Sequence, residues 1–124
     1  MNLVAVAVGG ALGALARYGV TALMHRLVPG PFPIGTATVN VVGGLAVGFL
    51  AGLLTARELG APHAAHLLLI VGVCGGFTTF SAFSLETVRL VQAGSAMTAL
   101  VSVVAQVAGA ILATGAGLWL SRHV

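Results

Sequence analysis

The stretch GVCGGFTTFSAFS, residues 72–84, decides how this chain folds. It lies within an apolar segment, residues 65–88, that is long enough to cross a lipid bilayer. Two adjacent glycines followed by two β-branched threonines are poor material for a continuous helix. We therefore expect the helix to be broken at its middle, with carbonyl and amide groups left unpaired at membrane depth. Such groups are tolerated only where protein, an ion or water satisfies them.

Three further apolar segments accompany this one, at residues 2–24, 34–56 and 95–120. Each has about the 20 residues that a membrane-spanning helix needs. The composition agrees, since 59% of the 124 residues are hydrophobic and only 6% are charged, against about a quarter charged in soluble domains. The sequence predicts an all-α, multi-pass membrane protein whose single domain, residues 1–124, has four transmembrane helices. We expect it in a cell inner membrane or plasma membrane.

Small residues recur at every fourth position of these segments, for example at Gly44, Gly48 and Gly52. This spacing puts them on one helix face, where two backbones can approach closely. The pattern predicts a compact bundle that packs against itself and against lipid.

The positive charges are five scattered arginines, with no basic cluster that would favour a nucleic acid. Arg26 and Arg89 flank one side of the predicted bundle, with Arg17 toward that side, and Arg57 and Arg122 flank the other. The positive-inside rule then has almost no bias to act on. Two outcomes stay open: insertion in both directions with pairing as an antiparallel dimer, or one weakly favoured orientation.

Two polar residues lie inside the first two segments. Arg17 is costly at its depth, so it either faces a water-filled vestibule or snorkels to the interface. Asn40 shares a helix face with Thr36 and Gly44. Its carboxamide offers two N–H donors, which suit a desolvated anion, but it equally suits a hydrogen bond between helices.

The third segment carries an aromatic pair, Phe80 and Phe83, three residues apart on one helix face. Such a pair packs against its neighbours, or it presents the electropositive ring edges to an anion. Hydroxyl donors at Thr79 and Ser81 lie beside it, with Ser84 close by. Glu86 precedes Arg89 by three residues, so a helix-end ion pair is its ordinary interpretation.

The fourth segment has a polar stripe, Thr98, Ser102 and Gln106, at a spacing of four. It either faces the bundle or a water-filled path, or its hydroxyls bond back to their own helix. No nucleophile, base and orienting group come together in the sequence, so we predict that the protein is not an enzyme.

Three motifs in order resemble the fluoride channels of the Fluc/CrcB family. They are GGALGALARY at residues 9–18, GTATVNVVG at residues 35–43 and GVCGGFTTFSAFS at residues 72–84. The resemblance spans essentially the whole chain. It implies a fluoride-selective channel that exports fluoride passively.

The same resemblance implies an antiparallel, dual-topology homodimer with two pores and a structural Na⁺ at its centre. Main-chain carbonyls of Gly75 and Thr78 from each subunit would hold the Na⁺, and Arg17 would lie at the vestibule. Pore-lining roles would fall to side chains of the second, third and fourth helices: Asn40, Thr79, Phe80, Ser81, Phe83, Ser102 and Gln106. Two alignments of the fourth-helix stripe, one turn apart, stay open.

The chemistry of these side chains agrees with an anion that is small and strongly hydrated. A pore must replace its water with several donors at once, yet a full positive charge would hold it in place. The rival interpretation is a small multidrug-resistance-type proton-coupled exporter. Such a carrier needs a membrane-buried carboxylate in its first helix, and this first helix has none.

Overall fold

A computed structural model describes residues 2–56 and 63–124 of the chain, and every element in these ranges is helical. Within these ranges, four stretches are long and apolar enough to cross a membrane. Helix α1 (Asn2–Leu27) runs three residues beyond the predicted end at residue 24. It ends before Pro29, because a residue that precedes proline disfavours helical backbone. Helix α2 (Ile34–Ala56) follows the proline-rich link, and Arg57 lies outside the described residues.

The third span is assembled from several shorter elements. It starts with a helical turn α3 (His63–His66), continues as a π helix, π1 (Leu67–Cys74), and ends its first half with α4 (Gly75–Phe77). Two extended residues follow, and α5 (Phe80–Gln92) forms the second half. The last span is α6 (Ala96–Ser121).

The end of α5 lies beyond the predicted end of the third segment at residue 88. Gly94, with a φ of 78°, takes the left-handed conformation that glycine adopts most readily. The Ser95 N–H then donates to the Leu90 carbonyl at 2.8 Å, which closes the helix end. Because the stop signal is Gly94, the charged residue Arg89 does not end the helix.

The first half of the third span packs against α1 through pairs of glycines. A Cβ on Gly72 would lie 2.8 Å from the Cα of Gly9, and a Cβ on Gly76 would lie 3.0 Å from the Cα of Gly10. Gly13 is similarly close to the main chain of Val73 and Phe77. The two backbones therefore touch directly, as the spacing of small residues predicts.

A second glycine contact joins α2 to α6, which is the most extensive helix pair in the bundle. A Cβ on Gly48 would collide with the main chain of Thr114, and a Cβ on Gly117 would lie 2.7 Å from the Phe49 nitrogen. This contact lies in the second half of both helices and holds them side by side, so that Asn40 and Gln106 meet about two turns earlier along them.

Burial in the protomer is reversed from that of a soluble protein. Large apolar side chains cover the outside, whereas several of the buried side chains are polar, among them Thr36, Thr79, Ser102 and Gln106. An apolar exterior suits lipid, and the polar interior concentrates hydrogen-bonding groups between the helices.

The glycine contact of α2 with α6 yields a direct test of packing. Gly48→Ala places a methyl group against the Thr114 main chain, and we expect it to lower the free energy of unfolding by about 1–3 kcal/mol. Gly19→Ala is the matched control, since nothing lies within 4 Å of its new Cβ. It should be neutral or stabilising by up to about 1 kcal/mol. Unfolding of both variants in detergent measures the difference, and equal stabilities would contradict the assigned contact.

Candidate functional site

The third span is interrupted at Thr78 and Thr79. Their backbones are extended, with φ/ψ of −74°/157° and −151°/117°. In a continuous helix the Thr79 and Ala82 N–H groups would donate to the carbonyls of Gly75 and Thr78. Instead, the Thr79 N–H donates to Asn40 Oδ1 at 2.9 Å and the Ala82 N–H to Thr79 Oγ1 at 3.2 Å. The Gly75 and Thr78 carbonyls thus lose their helical donors.

The interruption lies on the second half of the stretch that the sequence identifies as poor helix. That stretch consists of two glycines and the threonines after them, and Gly75 and Gly76 lie within the short helix α4. Gly76 serves the contact with α1, where a Cβ would lie 2.5 Å from the Gly10 carbonyl oxygen. The extended residues are the threonines, and Thr79 caps the following helix with its own hydroxyl.

Asn40 of α2 bridges the interruption to α6. Its Nδ2 donates to the Thr79 carbonyl and to Gln106 Oε1, both at 3.1 Å, while its Oδ1 accepts the Thr79 N–H. Gln106 Nε2 in turn donates to Ser102 Oγ at 2.9 Å. One hydrogen-bonded chain therefore runs from the Thr79 main chain through two carboxamides to a buried hydroxyl.

The aromatic pair lies at the start of α5. The ring centroids of Phe80 and Phe83 are 5.4 Å apart, with planes tilted by 42°. Phe83 is 9% exposed, whereas Phe80 is 78% exposed on the surface of the protomer. Phe80 is thus a large apolar side chain that the described protomer leaves uncovered.

These groups meet in one open groove of about 290 Å³. Among the described residues, its lining contains amide, hydroxyl and aromatic groups and no charged side chain: Asn40, Gly44, Thr78, Thr79, Phe80, Phe83, Gln106, Val107 and Ala110. The groove is therefore lined by neutral polar groups and aromatic rings among the described residues.

The other predicted site residues lie outside this lining. Ser81 is exposed, and its Oγ lies 3.3 Å from Thr79 Oγ1, while Ser102 is fully buried behind Gln106. Ser84 bonds back to the Phe80 carbonyl of its own helix at 2.9 Å. Arg17 is half-buried on α1 and does not line the groove.

A contact that the sequence did not predict joins Thr36 to Glu86. The Thr36 hydroxyl donates to Glu86 Oε1 at 2.8 Å, and Glu86 Oε2 is buried without a partner among the described residues. Glu86 and Arg89 line a second groove, of about 320 Å³, at the end of the bundle near Pro31 and Pro33. The sequence showed that Thr36 shares a helix face with Asn40. It did not show that Glu86 lies next to Thr36.

Side-chain metal ligands do not cluster in the described chain. Within residues 2–56 and 63–124, no three His, Cys, Asp or Glu side chains come together. A cation near the interruption would therefore depend on main-chain oxygens, of which Gly75 and Thr78 supply two that have lost their helical donors.

Comparison with known proteins gives a consistent result over almost the whole chain. Residues 4–118 match the family model described as CrcB-like protein, Camphor Resistance (CrcB). A Hyphomonas neptunium protein named "Fluoride-specific ion channel FluC" is 44% identical over 96% of this chain and 94% of its own length. A Sphingopyxis alaskensis protein of the same name is 48% identical over 99% and 97%. A third, from Paracoccus denitrificans, is 59% identical over 60% of this chain and 57% of its own length.

The contact between Thr36 and Glu86 can be tested by stability. Thr36→Val keeps the shape of the side chain but removes the donor to a partly buried carboxyl group, so we expect a loss of about 1–3 kcal/mol in the free energy of unfolding. Thr55→Val is the control, because its exposed hydroxyl only bonds back to Ala51 of its own helix. Thermal unfolding in detergent compares the two, and equal losses would argue against a specific role for the contact.

Proposed function

The chain belongs to the CrcB-like family, and from this premise we propose that it is a fluoride-selective channel through which fluoride leaves the cell passively, down its gradient. It is a multi-pass membrane protein and not an enzyme. The observation that carries the proposal is the groove at the interrupted third span, which combines amide and hydroxyl groups with two aromatic rings and has no charged lining. We place the protein in the cell inner membrane or plasma membrane.

The chemistry of the groove suits fluoride. This anion is small and strongly hydrated, so it enters a narrow path only where several donors replace its water together. Arginine or lysine at that point would bind it too tightly to release it, because conduction requires sites that are weak and repeated. In our proposal the polar path runs along Asn40, Thr79 and Gln106, continues to Ser81 and Ser102, and begins at a vestibule near Arg17.

The aromatic rings extend this path. The edges of Phe80 and Phe83 carry partial positive charge, which attracts an anion without a formal countercharge. Both rings line the groove, and their centroids are 5.4 Å apart.

We propose that two copies assemble as an antiparallel homodimer with dual topology. The groove is open on the protomer surface, and Phe80 is 78% exposed beside it, so a second copy of the chain would close the path. The near-balance of arginines on the two sides supports insertion in both directions.

We further propose a structural Na⁺ on the dimer axis. The residues fit such an ion, because the Gly75 and Thr78 carbonyls have lost their helical donors and would otherwise stay unpaired in hydrocarbon. Two carbonyls from each subunit would provide about four neutral oxygens, which suit a hard monovalent cation. When bound, the ion would satisfy these carbonyl oxygens and join the two subunits.

Fluoride efflux tests the proposed activity. Liposomes that contain the purified protein should release fluoride rapidly when the membrane potential is clamped, and they should retain chloride. The same vesicles should take up no lipophilic cation in exchange for protons, because α1 has no carboxylate to carry them. Equal chloride and fluoride flux, or proton-coupled cation uptake, would refute the channel.

Substitution of the aromatic pair tests the role of the ring edges. Phe80→Ile and Phe83→Ile keep apolar bulk and remove the electropositive edge, so each should reduce fluoride flux by about two- to tenfold. Phe49→Ile is the control, since Phe49 does not line the groove. If both groove variants conduct like the control, the pair serves packing alone.

The dimer and its ion can be tested by one structure determination. A map of the protein in lipid nanodiscs with Na⁺ present should show antiparallel subunits and a single density on the two-fold axis, surrounded by the carbonyls of Gly75 and Thr78. Parallel subunits would rule out the assembly. An axis filled by side-chain carbon would rule out the ion and leave the channel assignment intact.

A further inference from the structure

We propose that His123 and Trp119 form a proton-binding pair at the end of α6, in which a protonated His123 holds the last helical turn more tightly than a neutral one does. Both side chains are exposed, and neither lines the groove at the interrupted third span. The inference therefore does not depend on the proposed function.

The main chain at the end of α6 leaves an acceptor for the His123 ring. In a continuous helix the Trp119 carbonyl would accept the His123 N–H. That N–H instead donates to the Leu120 carbonyl at 3.0 Å, and the Arg122 N–H donates to the Trp119 carbonyl at 3.1 Å. A carbonyl oxygen has two lone pairs, and His123 Nδ1 lies 2.9 Å from the same Trp119 oxygen. The imidazole thus takes the place of a main-chain donor.

The Trp119 carbonyl determines which nitrogen of His123 carries a hydrogen. Because a carbonyl oxygen can only accept, Nδ1 must donate, and a neutral ring then has its lone pair on Nε2. A proton can bind at Nε2 while the bond from Nδ1 stays in place. Protonation therefore strengthens the existing hydrogen bond, since donors that carry a charge form stronger bonds than neutral ones.

The Trp119 ring provides a second attraction for a positive charge. Its centroid lies 4.3 Å from that of His123, and the two planes are tilted by 39°. A cation within about 6 Å of an indole centroid is attracted by the π electrons of the ring. The C-terminal end of a helix also carries partial negative charge, which favours a cation there. The carbonyl, the indole and the helix end thus all favour the imidazolium.

Two charged groups lie beside His123 in the chain, and their effects are opposite. The guanidinium of Arg122 disfavours a second positive charge next to it, whereas the carboxylate that ends this chain at Val124 favours one. Both groups are exposed, so water screens them. The contacts of the ring with Trp119 therefore decide the balance.

Other elements at this end of the bundle contribute few titratable groups. Helix α2 packs against α6, and its last described residues, 51–56, contain no titratable side chain. Arg57 and Glu58 lie outside the described residues. His63 and His66 of α3, both exposed, lie at the same end by the order of the spans. These groups are unchanged in the variants used below, so they do not obscure the effect of His123.

Tryptophan fluorescence reports the proton on His123 directly. Trp119 is the only tryptophan of the chain, and an imidazolium in contact with an indole quenches its emission. We expect the emission of the protein in nanodiscs to fall as the pH decreases through the histidine range, from about 8 to about 5. His123→Gln keeps a donor for the Trp119 carbonyl but cannot take up a proton, so it should abolish the change. His25→Gln, at the exposed end of α1, is the control and should retain it.

Thermal unfolding tests whether the proton strengthens the helix end. A proton that the folded protein binds more tightly than the unfolded chain adds stability at low pH, and this contribution is lost as the pH rises. Over the same pH range, acidification should therefore raise the Tm of the unmodified protein by about 2–4 °C more than that of His123→Gln. The other titratable groups are common to these two proteins, so the difference isolates His123.

Two results would overturn the inference. One is an emission from Trp119 that stays constant with pH in the unmodified protein, because the rings would then not meet. The other is the same change of Tm with pH in the unmodified protein and in His123→Gln, because His123 would then bind its proton without tightening the helix. Both variants alter an exposed side chain near a helix end, so both should fold.

Discussion

The absence of water in the bilayer core is the constraint on which this structure depends. Every main-chain N–H and C=O must find a partner inside the protein, and a continuous helix provides one automatically. Two extended residues, Thr78 and Thr79, interrupt that arrangement at the middle of the third span. The side chain of Asn40 replaces what the helix has lost, since it bonds both the N–H and the C=O of Thr79. Because these hydrogen bonds come from α2, polar groups of two helices lie together at the groove.

Close packing makes the repair possible. Gly72 and Gly76 bring the third span against α1, and Gly48 and Gly117 bring α2 against α6. With backbones in direct contact, short polar side chains on three helices reach one another without crossing a layer of leucine. The glycines and the hydrogen-bonded chain therefore act together. The glycine contacts set the distances between the helices, and these distances allow the polar side chains to form hydrogen bonds.

Much of this fold was predictable from the sequence, because hydropathy and the spacing of small residues report directly on spans and on helix contacts. The sequence also singled out residues 72–84 and Asn40, because polar or helix-breaking residues are costly in hydrocarbon. Which of these residues would leave the helix was not predictable, because the low helix propensity of Gly76 is overridden by its packing against α1. The contact of Thr36 with Glu86 was not predictable either, because it depends on how two helices far apart in the sequence are rotated relative to each other. Hydrogen-bond direction in the amide chain likewise appears only once all partners are placed.

The π helix at Leu67–Cys74 changes the direction in which the side chains that follow it point around the helix axis. Its bonds close over five residues where an α-helix closes over four, so side chains after it do not continue the angular sequence of those before it. A face defined at His66 cannot be extrapolated to Phe80 by counting in fours. We therefore expect this stretch to absorb the loss of one residue by returning to ordinary α winding, with the residues beyond it keeping their direction. The same deletion within the regular helix α5 would instead turn every side chain after it by about 100°, although all the residues of the groove would still be present.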